Sequence, residues 1–250
     1  MSPAPENHLI QRLPSPDRER LQALCEPVQL GMAEVLCGHG EAPTHVYFPV
    51  DGFISLLTRV DAHPGLEVGM IGREGMLGAW LVLGVDNASA AALVQGPGLA
   101  WRMAVAPFKR ELARNAALRA GLGRYIGVRL AQMTASTACT RFHQIAPRLA
   151  RWLLMSQDRA HADHFHVTHE GLAMLLGVRR VGITMAAGAL QRAGLIDYHR
   201  GELTVIDRRG LEAASCSCYA ADESSYAALM LSPETSTSVC QRTDAARQGA

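Results

Sequence analysis

Four histidines and one aspartate crowd a stretch of nine residues: His161, Asp163, His164, His166 and His169. Imidazole is a common metal ligand and proton carrier. However, no cysteine lies nearby, and the stretch runs from a predicted loop into the start of a predicted helix. The rings are therefore not expected to converge. We interpret the stretch as a polar connection and predict no metal site there.

Six cysteines carry the thiols of the chain, at positions 25, 37, 139, 216, 218 and 240. They follow no regular framework, and a chain of 250 residues does not depend on disulfides for stability. Cys216 and Cys218 enclose a single residue, whereas zinc pairs usually enclose two or more. We expect free thiols and no cofactor, with a redox switch as the alternative for this pair.

Enzyme motifs are missing from the sequence. It has no Gly-x-Ser-x-Gly turn, no phosphate-binding loop and no His-Glu-x-x-His helix. The glycine-rich segment 69–78 is explained more simply by turns of a β-sandwich. The chain is therefore not predicted to be an enzyme, and no catalytic residue is assigned.

The net charge of +1 conceals an uneven distribution. Counted from the sequence, residues 1–101 carry a charge of −6, residues 102–209 carry +10 and residues 210–250 carry −3. Every basic side chain except Lys109 is an arginine, which suits two-pronged contact with phosphate and guanine. A basic block in a near-neutral chain indicates a local site for a polyanion.

Within the basic block, residues 168–190 have the pattern of a helix-turn-helix. Thr168 can cap the first helix, and Ala173 is small where a second helix must cross. Gly177 can adopt the left-handed conformation that ends the first helix, and apolar Ile183 follows at the required spacing. The pattern predicts a second helix, at about 179–193, that enters the major groove of DNA.

A β-hairpin is predicted directly after these helices. Two apolar runs, 195–198 and 203–206, flank a turn at Arg200-Gly201-Glu202. The pair of helices followed by a hairpin predicts a winged helix-turn-helix. The residues expected to contact DNA are Thr168, Arg179, Arg180, Gly182, Thr184 and Arg200.

The N-terminal half has a different pattern. Short apolar runs at 46–50, 53–60, 66–71, 90–94 and 99–105 are separated by turns, which predicts an antiparallel sandwich. A helix is then predicted over 116–139. Its apolar residues recur every three or four positions, and the stripe consists of Leu118, Leu122, Ile126, Leu130 and Met133. This stripe packs either on its own sandwich or against a second copy, and periodicity does not decide between the two.

Taken together, the chain resembles the Crp/Fnr regulators. The resemblance rests on Val46-Tyr-Phe-Pro49, on the segment 68–78, on Arg151-Trp-Leu-Leu154 with Asp158-Arg159, and on the block 168–206. It implies an α+β chain with a jelly-roll type sandwich, a long dimerisation helix and a C-terminal winged helix. The stripe of Leu118, Leu122, Ile126, Leu130 and Met133 is then the expected dimer interface. It also implies a homodimer with recognition helices in successive major grooves, and a sandwich that senses a signal.

Three departures from this family bear on specificity. Glu74 and Gly75, with Ser89, match the effector pocket, but the arginine expected beside Ser89 is missing, so cyclic AMP is not expected to control the protein. Cys25 and Cys37 are too few and too far apart for the iron–sulfur cluster of the oxygen-sensing members. In the recognition helix, valine and methionine replace the usual glutamate and second arginine, so the usual half-site is not expected.

We therefore predict a cytoplasmic, homodimeric DNA-binding transcription regulator that responds to an unidentified signal. Double-stranded DNA is the expected partner, RNA polymerase is a further one, and no membrane is expected. The alternative is a cyclic-nucleotide-binding module that acts through protein contacts. The predicted divisions are an arm with a short helix (1–27), the sandwich (28–110), the dimerisation helix (111–140), the winged helix (141–215) and a mostly disordered tail (216–250).

Overall fold

The structure is a computed structural model that describes residues 6–61, 63 and 65–231. Two short helices begin the described chain, α1 (His8–Gln11) and α2 (Ser15–Gln22). Seven strands follow: β1 Glu26–Leu30, β2 Val35–Cys37, β3 His45–Pro49, β4 Phe53–Thr58, β5 Leu66–Ile71, β6 Ala91–Gly96 and β7 Gly98–Ala104. A 3-10 helix, Ala79–Leu83, interrupts them.

The strands form two antiparallel sheets in the orders β1-β7-β3 and β2-β6-β4-β5. Side chains from both sheets meet in one core, including Leu30 and Tyr47 from the first sheet and Ile54 and Val94 from the second. Burial alternates along β6, as expected of a strand with one face in the core. The predicted sandwich is confirmed, although β1 and β2 were not predicted.

The described part of the predicted N-terminal arm, residues 6–27, packs on the sandwich. Asn7 is completely buried, and its Nδ2 donates to the carbonyl oxygens of Pro49 (3.0 Å) and Gly75 (2.7 Å). Its Oδ1 accepts from the backbone of Leu9 and caps α1. Leu9, Ile10 and Leu13 join a second core with Phe48 of the sandwich and with helices further along the chain, so this part of the arm is a structured layer.

Helix α3 (Val105–Arg114) leads into the long helix α4 (Ala116–Phe142). Asn115 begins α4, because its side chain accepts from the backbone N–H of Leu118 at 2.9 Å. The buried side of α4 packs on the 3-10 helix and on β5. The predicted helix of 116–139 is confirmed and extends three residues further.

The C-terminal domain begins with α5 (Ile145–Ala160). It continues with β8 (His164–His166), α6 (His169–Leu176), α7 (Arg180–Arg192), β9 (Ile196–His199), β10 (Glu202–Val205) and α8 (Arg208–Ala214). The strands form a small antiparallel sheet in the order β8-β10-β9. This domain shares a core with the sandwich, where Trp152 of α5 meets Phe53 edge to face at 6.4 Å between ring centroids.

The prediction of a mostly disordered tail from residue 216 is wrong for its first part. Helix α9 (Cys218–Tyr226) and a turn of π-helix (Ala227–Leu231) pack along α4. Arg151 of α5 forms a buried ion pair with Asp222 at 2.5 Å, which holds α9 in place. The sequence hid this element because serine and alanine dominate it, and the remainder of the predicted tail, including Cys240, lies outside the described residues.

Among the described residues, no single helix is long and apolar enough to cross a membrane. Helices α6 and α7 together have the length and apolar composition of a membrane span, but the chain bends by 108° between them.

Candidate nucleic-acid interface

The first helix of the motif, α6, has defined ends. Thr168 accepts from the backbone N–H of Gly171 at 3.0 Å, and Glu170 lies in the first turn near the positive end of the helix dipole. Gly177 ends the helix with φ +64°. A Cβ at that position would lie 2.7 Å from Leu66 Cδ1, so both the backbone and the packing against the sandwich require glycine.

The second helix, α7, is held by one apolar face. Ile183, Ala186, Ala187 and Leu190 are buried in the core of the domain. Arg148 of α5 supports the preceding turn by donating to the carbonyl oxygen of Leu176 at 2.5 Å. The opposite face of α7 is therefore presented outward on a rigid base.

The outward face of α7 combines charged and apolar side chains. Arg179 and Arg180 are exposed at its N-terminal end. Val181 and Met185 are exposed by 63% and 71%. Thr184 lies on the same side and pairs with His169 Nδ1 at 3.1 Å. This face can offer hydrogen bonds and apolar contacts to base edges.

Gly182 packs against the neighbouring helix. A Cβ there would lie 2.5 Å from Ile145 Cδ1, at the start of α5. Its missing side chain therefore lets α7 approach α5, and the DNA contact of Gly182 stays a prediction.

The wing is a tight hairpin between β9 and β10. Its two central residues, Arg200 and Gly201, have φ +53° and +90°, as a type I′ turn requires. Arg200 is exposed at the tip. A non-glycine residue at positive φ carries a strain of about 1 kcal/mol or more.

The histidine-rich stretch supports the base of this wing. His166 Nδ1 donates to Glu202 at 2.7 Å, and His164 Nε2 lies 2.8 Å from the same carboxylate. The bond from His166 lowers the pKa of Glu202. His169 faces Thr184, and His161 ends α5 with a left-handed conformation. His164 and His166 thus share the carboxylate of Glu202, whereas His161 and His169 have other surroundings.

The part of the chain that matches a known protein family contains α6, α7 and the wing. Residues 147–214 match the family model of the Crp-like helix-turn-helix domain. No curated protein matches the chain in sequence. Residues 147–214 therefore form a Crp-like helix-turn-helix domain, and the chain is a DNA-binding transcription regulator.

Solved structures share this fold over about four fifths of the chain. A protein assigned as a Crp/Fnr family transcriptional regulator from Eubacterium rectale aligns with a TM-score of 0.64 at 15% identity, over 82% of this chain and 96% of that one. FixK2 from Bradyrhizobium japonicum aligns with a TM-score of 0.64 at 13% identity, over 77% of this chain and 98% of that one. The c-di-GMP responsive regulator CLP from Xanthomonas campestris aligns with a TM-score of 0.61 at 16% identity, over 77% of this chain and 99% of that one. The predicted fold and the predicted class of regulator are confirmed.

The residues predicted to line the effector pocket of this regulator have separate surroundings. Glu74 pairs with Arg159 of α5 at 2.9 Å, and both side chains are largely buried. A Cβ on Gly75 would collide with the hydroxyl of Tyr125 on α4, so that side chain covers the glycine. Ser89 is exposed, in a loop that is tied by backbone hydrogen bonds to residues 40 and 41. Glu74 therefore contacts α5, whereas the loop that contains Ser89 contacts residues 40 and 41 of the sandwich.

A cavity lies beside Glu74. It has a volume of about 590 Å³ and reaches from the sandwich across α5 to α9. Its walls alternate in charge, with His8, Arg73, Asp158 and Glu223 among them. Sequence patterns did not indicate this cavity, because α9 forms one wall and was expected to be disordered.

The apolar stripe of α4 divides between two environments. Leu118 and Leu122 are buried in the core of their own chain, and Ile126 is half-buried against it. Leu130 and Met133 are exposed by 61% and 47%. The prediction of one continuous dimer seam is thus wrong for the first two residues, because the helix turns that end of the stripe toward the sandwich.

Proposed function

We propose that this regulator is a homodimer that contacts base edges in two successive major grooves through α7, under the control of a signal received by the sandwich. The observation that carries the proposal is the outward face of α7, which is rigidly supported, basic at its N-terminal end and apolar beyond it.

The proposed division of labour follows from position. Arg179 and Arg180 are placed to contact bases, because the N-terminal part of a recognition helix lies deepest in the groove. Thr168, at the N-terminus of α6, and Arg200, at the wing tip, are suited to phosphates, which fix register without reading sequence. Val181 and Met185 suit the methyl groups of thymine, the one apolar feature of the major groove.

The proposed dimer uses the exposed side of α4. Leu130 and Met133 leave apolar surface in water, which favours burial against a partner. A Cβ on Gly123, on the same side of the helix, would meet no atom within 4 Å. Another helix backbone can therefore approach closely there, and a second copy of α4 fits this surface by symmetry.

The proposed signal site is the cavity of about 590 Å³ between the sandwich, α5 and α9. Its position lets a ligand bias how the C-terminal domain sits on the sandwich. Cyclic AMP remains an unfavoured ligand, since the arginine expected beside Ser89 is missing and the carboxylate of Glu74 already pairs with Arg159. RNA polymerase is a proposed partner on DNA.

Selection of bound fragments from genomic DNA tests the proposal. Fragments enriched by the full-length protein are expected to share an inverted repeat whose half-sites are about 10 base pairs apart, centre to centre. A single unrepeated site, or no enrichment over random fragments, would contradict the proposed dimeric readout.

A further inference from the structure

Three cysteines and one histidine converge where the long helix ends. Cys139 and His143 lie four residues apart at the C-terminal end of α4, and Cys216 and Cys218 flank the start of α9. The four ligand atoms all lie within 4.8 Å of one another. The sulfur atoms of Cys139 and Cys216 are 3.5 Å apart, and that of Cys218 is 3.6 Å from His143 Nδ1.

The two shorter separations, 3.5 Å and 3.6 Å, match those of a tetrahedral metal centre, and the other ligand atoms lie close enough to reach the same ion with small side-chain shifts. Zinc binds thiolate sulfur at about 2.3 Å and imidazole nitrogen at about 2.0–2.1 Å, so two ligands at the tetrahedral angle lie about 3.5–3.8 Å apart. Three thiolates and one imidazole are a common ligand set of structural zinc sites. Soft sulfur ligands also disfavour magnesium and calcium, which prefer oxygen.

We propose that Cys139, His143, Cys216 and Cys218 bind one Zn²⁺ ion per chain.

The surroundings suit this ion. The three cysteines are buried and form a cluster of their own, which shelters the thiolates from water. Three thiolates and Zn²⁺ carry a net charge of −1, and burying a charge requires compensation. Arg148 and Arg151 supply it, because both guanidinium groups interact electrostatically with Cys139 and Cys216.

The ion would join the two halves of the regulator. Helix α4 ends at Phe142 and α5 begins at Ile145, so His143 lies in the connection between the proposed dimer helix and the DNA-binding domain. Cys216 and Cys218 come directly after the last helix of that domain. Zinc bound here fixes the connection and stabilises the folded state by binding it selectively.

A disulfide between Cys139 and Cys216 is the competing occupant of this cluster. It needs a sulfur–sulfur distance of about 2.05 Å, well short of the one observed. It would also leave the thiol of Cys218 and the ring of His143 without a function. Convergence of all four groups favours the metal.

Zinc content of the full-length protein provides the first test. The reduced protein is loaded with Zn²⁺, dialysed against a weak chelator and analysed by mass spectrometry of the metal. We expect one zinc per chain in the wild type and in the control Cys37→Ser, whose thiol is buried in the sandwich. Cys218→Ser should bind zinc more than about 100-fold more weakly, since even loss of a supporting residue costs about 10–100-fold.

The wild type alone provides a second test, which does not depend on variants that fold. X-ray absorption at the zinc edge should show three sulfur neighbours and one nitrogen neighbour. Coordination by nitrogen and oxygen only, equal zinc content in Cys218→Ser, or no retained zinc would overturn the proposal. A linked Cys139–Cys216 peptide in the reduced and zinc-loaded protein would do so as well.

Discussion

At the scale of single residues, Arg200 combines backbone strain with an exposed charge. Its φ of +53° favours asparagine or glycine over arginine. Arg200→Asn should therefore leave the free energy of unfolding unchanged or raise it by up to about 1 kcal/mol. The same variant should weaken binding to specific and random DNA alike, and it should reduce the salt slope by about one unit for each phosphate that Arg200 neutralises in the wild type.

Denaturant unfolding and fluorescence anisotropy over a salt series check both halves of this prediction. A variant that unfolds more easily would mean that Arg200 has a structural partner in the wing. An unchanged salt slope would mean that the wing tip does not contact DNA phosphates.

Met185 permits a test that alters the DNA and not the fold. Replacing thymine by deoxyuridine in the selected half-site deletes only the methyl group. For the wild type, at the base pair that Met185 contacts, this should cost about 1 kcal/mol, the value of one buried methyl group. For Met185→Ala the cost should vanish, whereas a cost of equal size in both proteins would place the methyl contact on another residue.

At the scale of elements, Glu67 of β5 connects the sandwich to the DNA-binding domain. Its carboxylate accepts from the hydroxyl of Ser55 and from Trp152 Nε1 at 3.1 Å on α5. Burial raises the pKa of Glu67 from 4.5 to about 7. Between these values the folded state holds a proton that the unfolded state has released, so stability falls as the pH rises.

The fall has an upper limit of about 3 kcal/mol, since one pKa unit corresponds to about 1.4 kcal/mol. Glu67→Gln removes the titrating group and should lose less stability between pH 5 and pH 8 than the wild type does. The exposed carboxylate of Glu19 provides the matched control, Glu19→Gln. Parallel pH profiles for the wild type and Glu67→Gln would show that this carboxylate stays ionised in the folded protein.

Elements could be predicted from sequence where the capping, turn and core residues of a segment all indicate the structure that it adopts in the fold. The helix-turn-helix was one of them, because its cap, its turn at Gly177 and its core positions all indicate the same structure. Helix α9 was missed, since it is held by Arg151 and by α4, contacts that composition does not reveal. The cysteine and histidine cluster was missed for a related reason, as its two halves are 77 residues apart in sequence.

At the scale of the whole molecule, the proposed dimer has a matched pair of leucines as its test. Leu130 on α4 and Leu83 on the sandwich are exposed by 61% and 63%. Leu130→Glu would place a charge in an apolar interface and should yield monomers in analytical ultracentrifugation. Leu83→Glu should remain dimeric, and monomers from Leu83→Glu with dimers from Leu130→Glu would move the interface to the sandwich.

Contact of α7 with bases is the central claim, and the affinity of Arg180→Ala for DNA tests it most directly. Fluorescence anisotropy is measured on the selected site and on random DNA, with Arg110→Ala on helix α3 as a control for the removal of one positive charge. Arg180→Ala should cost about 1–3 kcal/mol on the selected site, relax preference at one base pair and change random binding much less. Equal weakening on both DNAs, or weakening no greater than that of Arg110→Ala, would contradict the assignment of this helix to the bases.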